Sequence, residues 1–107
     1  MVFNTGAALL DAIVLAVVSK EEQGTYGYKI TQDARQVIDI SESTLYPALR
    51  RLQKDGCLEV YDQQYGGRNW QYYRITSSGR AQLELYRREW REYSQKISQL
   101  FLGGTSE

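Results

Sequence analysis

The stretch Ser43-Thr44-Leu45-Tyr46-Pro47-Ala48-Leu49-Arg50-Arg51-Leu52-Gln53-Lys54-Asp55-Gly56 decides how this chain folds. On a helical wheel at about 100° per residue, Leu45, Leu49 and Leu52 fall within one narrow stripe, which must face a core. The opposite face carries Ser43, Pro47, Arg50 and Lys54, with Tyr46 and Arg51 on its flanks. These side chains can meet phosphates or base edges in a major groove, and Arg50 is the first candidate for a base contact. Ser41 is placed to cap the helix, Glu42 suits its first turn, and Gly56 supplies a left-handed terminator after residue 55. Pro47 falls in the second turn, where it removes a backbone donor; a slight kink or a later helix start would accommodate it. On a lone helix, such a basic face would be ordinary solubilising charge.

The flanking segments supply the context. After Gly56 the apolar period changes from helical to alternating: Leu58 and Val60, then Gln71, Tyr73 and Ile75, flank a turn at Tyr65-Gly66-Gly67-Arg68-Asn69. That pattern predicts a β-hairpin. Upstream, Thr25 is a candidate cap for a helix over residues 26–37, in which Ile30, Ala34, Val37 and Ile38 recur at helical spacing. Residues 7–20 are nearly all apolar and predict a buried helix. Downstream, Thr76 and Ser77 cap a last helix that runs to about residue 102. The expected fold is therefore mainly α with a small β-hairpin: a winged helix-turn-helix unit over residues 1–76, one long C-terminal dimerisation helix over 77–102, and a flexible tail over 103–107. At the hairpin tip, Gly67 and Arg68 suit entry into a minor groove or the clasp of a phosphate, or form a plain exposed turn.

Composition narrows the function classes. At 107 residues the chain has room for one domain and none for a second, catalytic one. It holds 13 basic and 13 acidic residues, so any DNA surface must be a local patch, made of Arg50, Arg51, Lys54, Arg68 and Arg74. There is no His and a single Cys, Cys57, which predicts no catalytic site, no metal site, no cofactor and no disulfide. Cys57 follows a helix terminator at the start of a strand, so it reads as a buried structural thiol. No secretory leader or membrane span is legible, and a cytoplasmic protein is expected.

In the last helix Leu83, Tyr86, Trp90, Tyr93, Ile97 and Leu100 are spaced 3, 4, 3, 4, 3, which is a heptad seam. A helix of about 25 residues extends roughly 37 Å, longer than so small a domain can cover, so part of the seam is expected to meet a second copy. Tyr86, Trp90 and Tyr93 are bulky for a tight helix pair and predict a pocket for a flat aromatic effector between symmetry-related helices, unless Trp90 serves only as the dimer's core anchor. Asp11, the one charge within the apolar first helix, is a candidate to face that space and favour a cationic guest, or else to stand exposed in the helix's first turns.

Several segments resemble the PadR family along nearly the whole chain. They are Tyr26-Gly27-Tyr28-Lys29-Ile30, the Ser43–Leu52 stretch ending at Gly56, Gly67-Arg68 with Tyr72-Tyr73-Arg74-Ile75-Thr76, and Gly79. The resemblance implies a dimeric repressor of double-stranded operator DNA, released by small molecules, in the short subfamily that includes multidrug-sensing regulators. The resembling segments add Tyr26 and Thr44 to the candidate DNA contacts. The competing expectation is a winged-helix module that binds a protein partner instead of DNA, which the zero net charge favours.

Overall fold

A computed structural model describes residues 6–103 and runs α1 (Gly6–Ser19), β1 (Thr25–Tyr26), α2 (Gly27–Ala34), α3 (Glu42–Lys54), β2 (Leu58–Tyr65), β3 (Arg68–Ile75) and α4 (Ser77–Leu102). The predicted tail lies, apart from Gly103, outside the described residues.

The core is built where the apolar periods place it. Leu10, Val14, Leu15 and Val18 of α1 meet Ile30 and Ala34 of α2 and Leu45, Ala48, Leu49 and Leu52 of α3, all buried. The predicted leucine stripe of α3 is thus the inner face. Pro47 lies within α3 without ending it. Its missing donor leaves the carbonyl of Ser43, on the exposed first turn, without a helical partner.

The hairpin pairs Leu58 with Ile75 through to Tyr65 with Arg68, and closes with Gly66 and Gly67 at φ of 60° and 78°. Two consecutive residues at positive φ make the tight turn whose twist matches the strands, a backbone that glycine adopts without strain. Cys57 at the hairpin's foot is buried, and burial pushes its thiol up from the ordinary value.

Two sequence expectations are corrected upstream. Thr25 does not cap α2. It pairs with Tyr73 as part of a third, short strand, giving a sheet of order β1-β3-β2, and the residue before α2 is Tyr26, which makes no side-chain cap. The backbone there is committed to the ladder, and the Thr25 side chain is turned inside. The second helix also stops at Ala34, three residues short of the predicted end, and Val37 is 72% exposed. The turn that follows is held by Arg35, whose Nε donates to the Ile40 carbonyl at 2.8 Å.

Thr76 begins α4 as predicted: its hydroxyl accepts from the Gly79 amide at 2.9 Å and donates to the Gly56 carbonyl at 2.6 Å. Ser77 is the helix's first residue. Only Gly79 and Leu83 of α4 are buried, with Tyr86 packed partly against the core, and the far end of the helix projects and stretches the molecule to 57 × 26 × 21 Å.

Candidate nucleic-acid interface

The outer face of α3 is made of short hydroxyls followed by cations. Ser41 Oγ, just before the helix, lies 2.8 Å from Ser43 Oγ and 3.3 Å from Thr44 Oγ1, and all three residues are exposed. Arg50 and Lys54 follow on the same face, both exposed, while Pro47 between them and Ser43 is half-buried.

Of the five cations predicted to form the patch, two are engaged within the fold. Arg51 Nη2 lies 2.7 Å from Asp11 Oδ1 of α1, and Arg74 is paired with Glu59 across the hairpin at 2.6 Å, its guanidinium 5.6 Å from the Tyr61 ring centroid. Among the described residues, no carboxylate stands within ion-pairing distance of Arg50, Lys54 or Arg68. The chain's zero net charge therefore coexists with an unneutralised local patch, because Asp11 and Glu59 cancel cations outside it. Gly66, Gly67 and Arg68 form an exposed tip one hairpin length from α3.

Two predicted contacts take up inner roles. Tyr46 is half-buried against Gly27, where an added Cβ would come within 2.6 Å of the phenolic oxygen, and burial raises its hydroxyl's pKa above the usual value. Tyr26 packs edge-on to Trp70, with ring centroids 5.3 Å apart, and 5.8 Å from Tyr72, so it braces the sheet. A third tyrosine, Tyr28, is 55% exposed on α2, where Gln32, four residues on, donates to its hydroxyl at 3.1 Å.

A second feature lies on the other side of the domain. Between α1 and α4 an apolar groove of about 590 Å³ is walled by Ala12, Ile13, Ala16, Leu83, Tyr86 and Trp90. Trp90 is 47% exposed and its ring lies 6.0 Å from that of Tyr93, which is outside the groove. Ile97 is half-buried and Leu100 is 76% exposed, so the lower seam has little cover from its own chain. The reading of Asp11 as an acid facing this space is corrected. Asp11 does not line the groove; Arg51 holds its carboxylate, and the charged residues that do line it are Arg87 and Arg91. Among the described residues there is no His/Cys/Asp/Glu cluster that could hold a metal, and no helix long and apolar enough to cross a membrane.

Comparison with known proteins agrees with this geometry. Residues 14–85 match the family model described as the Transcriptional regulator PadR-like family. The transcriptional regulator Rv3488 of Mycobacterium tuberculosis (strain ATCC 25618 / H37Rv) is 38% identical over 82 residues, 76% of this chain and 73% of that one. The crystal structure of smu.1704 from Streptococcus mutans UA159 superposes with a TM-score of 0.83 at 37% identity, covering 100% of this chain and 99% of that one. Bacillus subtilis PadR, crystallised in complex with operator DNA, shares the fold with a TM-score of 0.66 at 24% identity, over 73% of this chain and 45% of that one. With most of its length matched by the family model and a winged helix-turn-helix architecture to carry it, the chain belongs to the PadR-like family of transcriptional regulators, which are not enzymes.

Proposed function

We propose that this regulator is a cytoplasmic repressor that binds double-stranded operator DNA as a homodimer, with residues 1–76 reading the DNA and residues 77–102 joining two copies. The observation that carries the reading is the outer face of α3, where Arg50 and Lys54 stand clear of internal carboxylates behind a cluster of hydroxyls. Such a face matches the donor pattern that enters a major groove: Arg50 for the O6 and N7 of guanine, Ser43, Thr44 and Lys54 for phosphates or base edges, and Arg68 with Gly67 for the adjacent backbone or minor groove. The operator complex of Bacillus subtilis PadR supports the same partner. A mobility shift with a duplex from upstream of its own gene tests it. Binding is expected at low salt and to fall steeply as salt rises, because phosphate contacts release counterions. No shift at low salt would transfer the protein to the class of protein-binding winged helices.

The dimer rests on α4. Its 26 residues span about 39 Å, and Trp90, Ile97 and Leu100 continue the seam beyond the domain. Pairing through that seam would set two copies of α3 against a two-fold-symmetric operator. A stable monomer in sedimentation at micromolar concentration would sink this.

Release by a flat aromatic or drug-like effector is the finer part of the proposal. Tyr86 and Trp90 offer it a polarisable wall in the α1/α4 groove, with Tyr93 beside Trp90 and the partner's copy of the seam to close over it. With Trp70 replaced by Phe to isolate the signal, planar aromatic dyes are expected to quench Trp90 fluorescence at micromolar concentration. Unchanged dye affinity in Trp90→Ala would remove the pocket.

A further inference from the structure

The inner face of α2 is Gly27, Ile30, Thr31 and Ala34, all buried. Tyr28, Gln32 and Arg35 therefore share the outer stripe, at i, i+4 and i+7, and all three are exposed. Arg35 is turned to the Ile40 carbonyl. Lys29, the cation beside Tyr28, is taken by Asp33 at 3.0 Å and approached by Glu21 at 3.8 Å. What α2 presents outward near its start is a neutral phenol beside a lysine already paired with carboxylates.

That phenol has one partner on its own helix. Gln32 Nε2 donates to Tyr28 Oη at 3.1 Å, so the hydroxyl accepts there and its own proton is available to an outside acceptor. The start of α2 is also fastened to the recognition helix. Gly27, immediately before Tyr28, packs against Tyr46, which lies one turn beyond Ser43 and one turn before Arg50. In a helix-turn-helix the first helix crosses the phosphate backbone beside the groove that the second one enters.

We propose that Tyr28 is a DNA-contacting residue whose hydroxyl, set by Gln32, donates a hydrogen bond to an operator phosphate. Its contact is neutral and blind to sequence. It fixes the angle at which α3 enters the groove and leaves the counterion balance to Arg50, Lys54 and Arg68. The inference rests on the DNA-binding reading, and the test separates the two.

Wild type and Tyr28→Phe are titrated, over a range of salt concentrations, against a duplex chosen by in vitro selection with the wild-type protein and against a random duplex. Tyr28→Phe keeps the ring and loses only the hydroxyl. It should weaken binding to both duplexes by about tenfold, with the slope of log affinity against log salt unchanged and the thermal midpoint unchanged. Gln32→Leu, which removes the orienting donor, should weaken both in the same direction by less. Equal affinity of Tyr28→Phe and wild type would overturn the proposal. So would a loss confined to the selected duplex, which is the mark of a base contact, or a loss accompanied by a lowered thermal midpoint. If wild type binds neither duplex, the DNA-binding reading itself fails, and Tyr28 falls with it.

Discussion

Gly79→Ala should destabilise the protein by about 2 kcal/mol, lowering the thermal midpoint by roughly 8–16 °C. Elsewhere in a helix the same substitution is worth close to 1 kcal/mol of stabilisation. Here the added Cβ would sit 2.2 Å from the Cys57 carbonyl oxygen and 2.7 Å from Ile75 Cγ1. The oxygen cannot yield easily, because it accepts from the Thr76 amide at 3.0 Å and belongs to backbone, not to a flexible side chain. Either the first turn of α4 moves off the hairpin, breaking the Thr76 hydroxyl's bonds to Gly56 and Gly79, or the hairpin's foot opens. Exposed Ser78 is the control, and its replacement by Ala should change stability by less than about 0.5 kcal/mol. Melts must be compared at equal protein concentration, since the proposed dimerisation would contribute to apparent stability. A Gly79→Ala protein as stable as wild type would mean that α4 does not approach the strand this closely.

Arg50→Ala should cost the largest share of operator affinity of any single change. A bidentate contact to a guanine is worth about 1–3 kcal/mol of discrimination, and the proposed dimer on a two-fold operator would make it twice, for a combined loss of about 2–6 kcal/mol, some thirtyfold or more. The loss should be greater on the cognate duplex than on random DNA, while the midpoint of thermal unfolding stays put, because Arg50 is exposed and makes no ion pair among the described residues. Arg68→Ala offers the contrast: a smaller loss, similar on all sequences, with the salt slope reduced by about one for each phosphate the guanidinium no longer meets. Competition binding against cognate and random duplexes separates the two. If Arg50→Ala binds both as wild type does, Arg50 is surface charge and base reading must come from elsewhere.

The elements themselves were legible because their signals are local. Leu45, Leu49 and Leu52 define the buried face of α3 by spacing alone, the Gly66-Gly67 pair marks a two-residue turn by its backbone freedom, and Thr76 announces α4 through a capping bond that spans three residues. One error falls where a distant segment intervened. Thr25 has the chemistry of a cap, yet Tyr73, far along the chain, claims its backbone for a strand. The exposure of Tyr28 was not legible, because a tyrosine beside apolar helical positions is indistinguishable from a core residue until its surroundings are known.

The sequence by itself therefore determined the order of helices and hairpin, the inner and basic outer faces of α3 and the overhanging apolar seam of α4. Only the tertiary structure decided which members of those faces are available. Arg50 and Arg51 are neighbours of identical chemistry, and no local rule separates them. Arg51 is paired because Asp11, 40 residues earlier, is brought to 2.7 Å from it by the packing of α1 on α3. Secondary structure follows periods a few residues long, whereas the commitment of a charge depends on which opposite charge the folded chain carries within reach, and Coulomb attraction is governed by distance in space with no regard to distance in sequence.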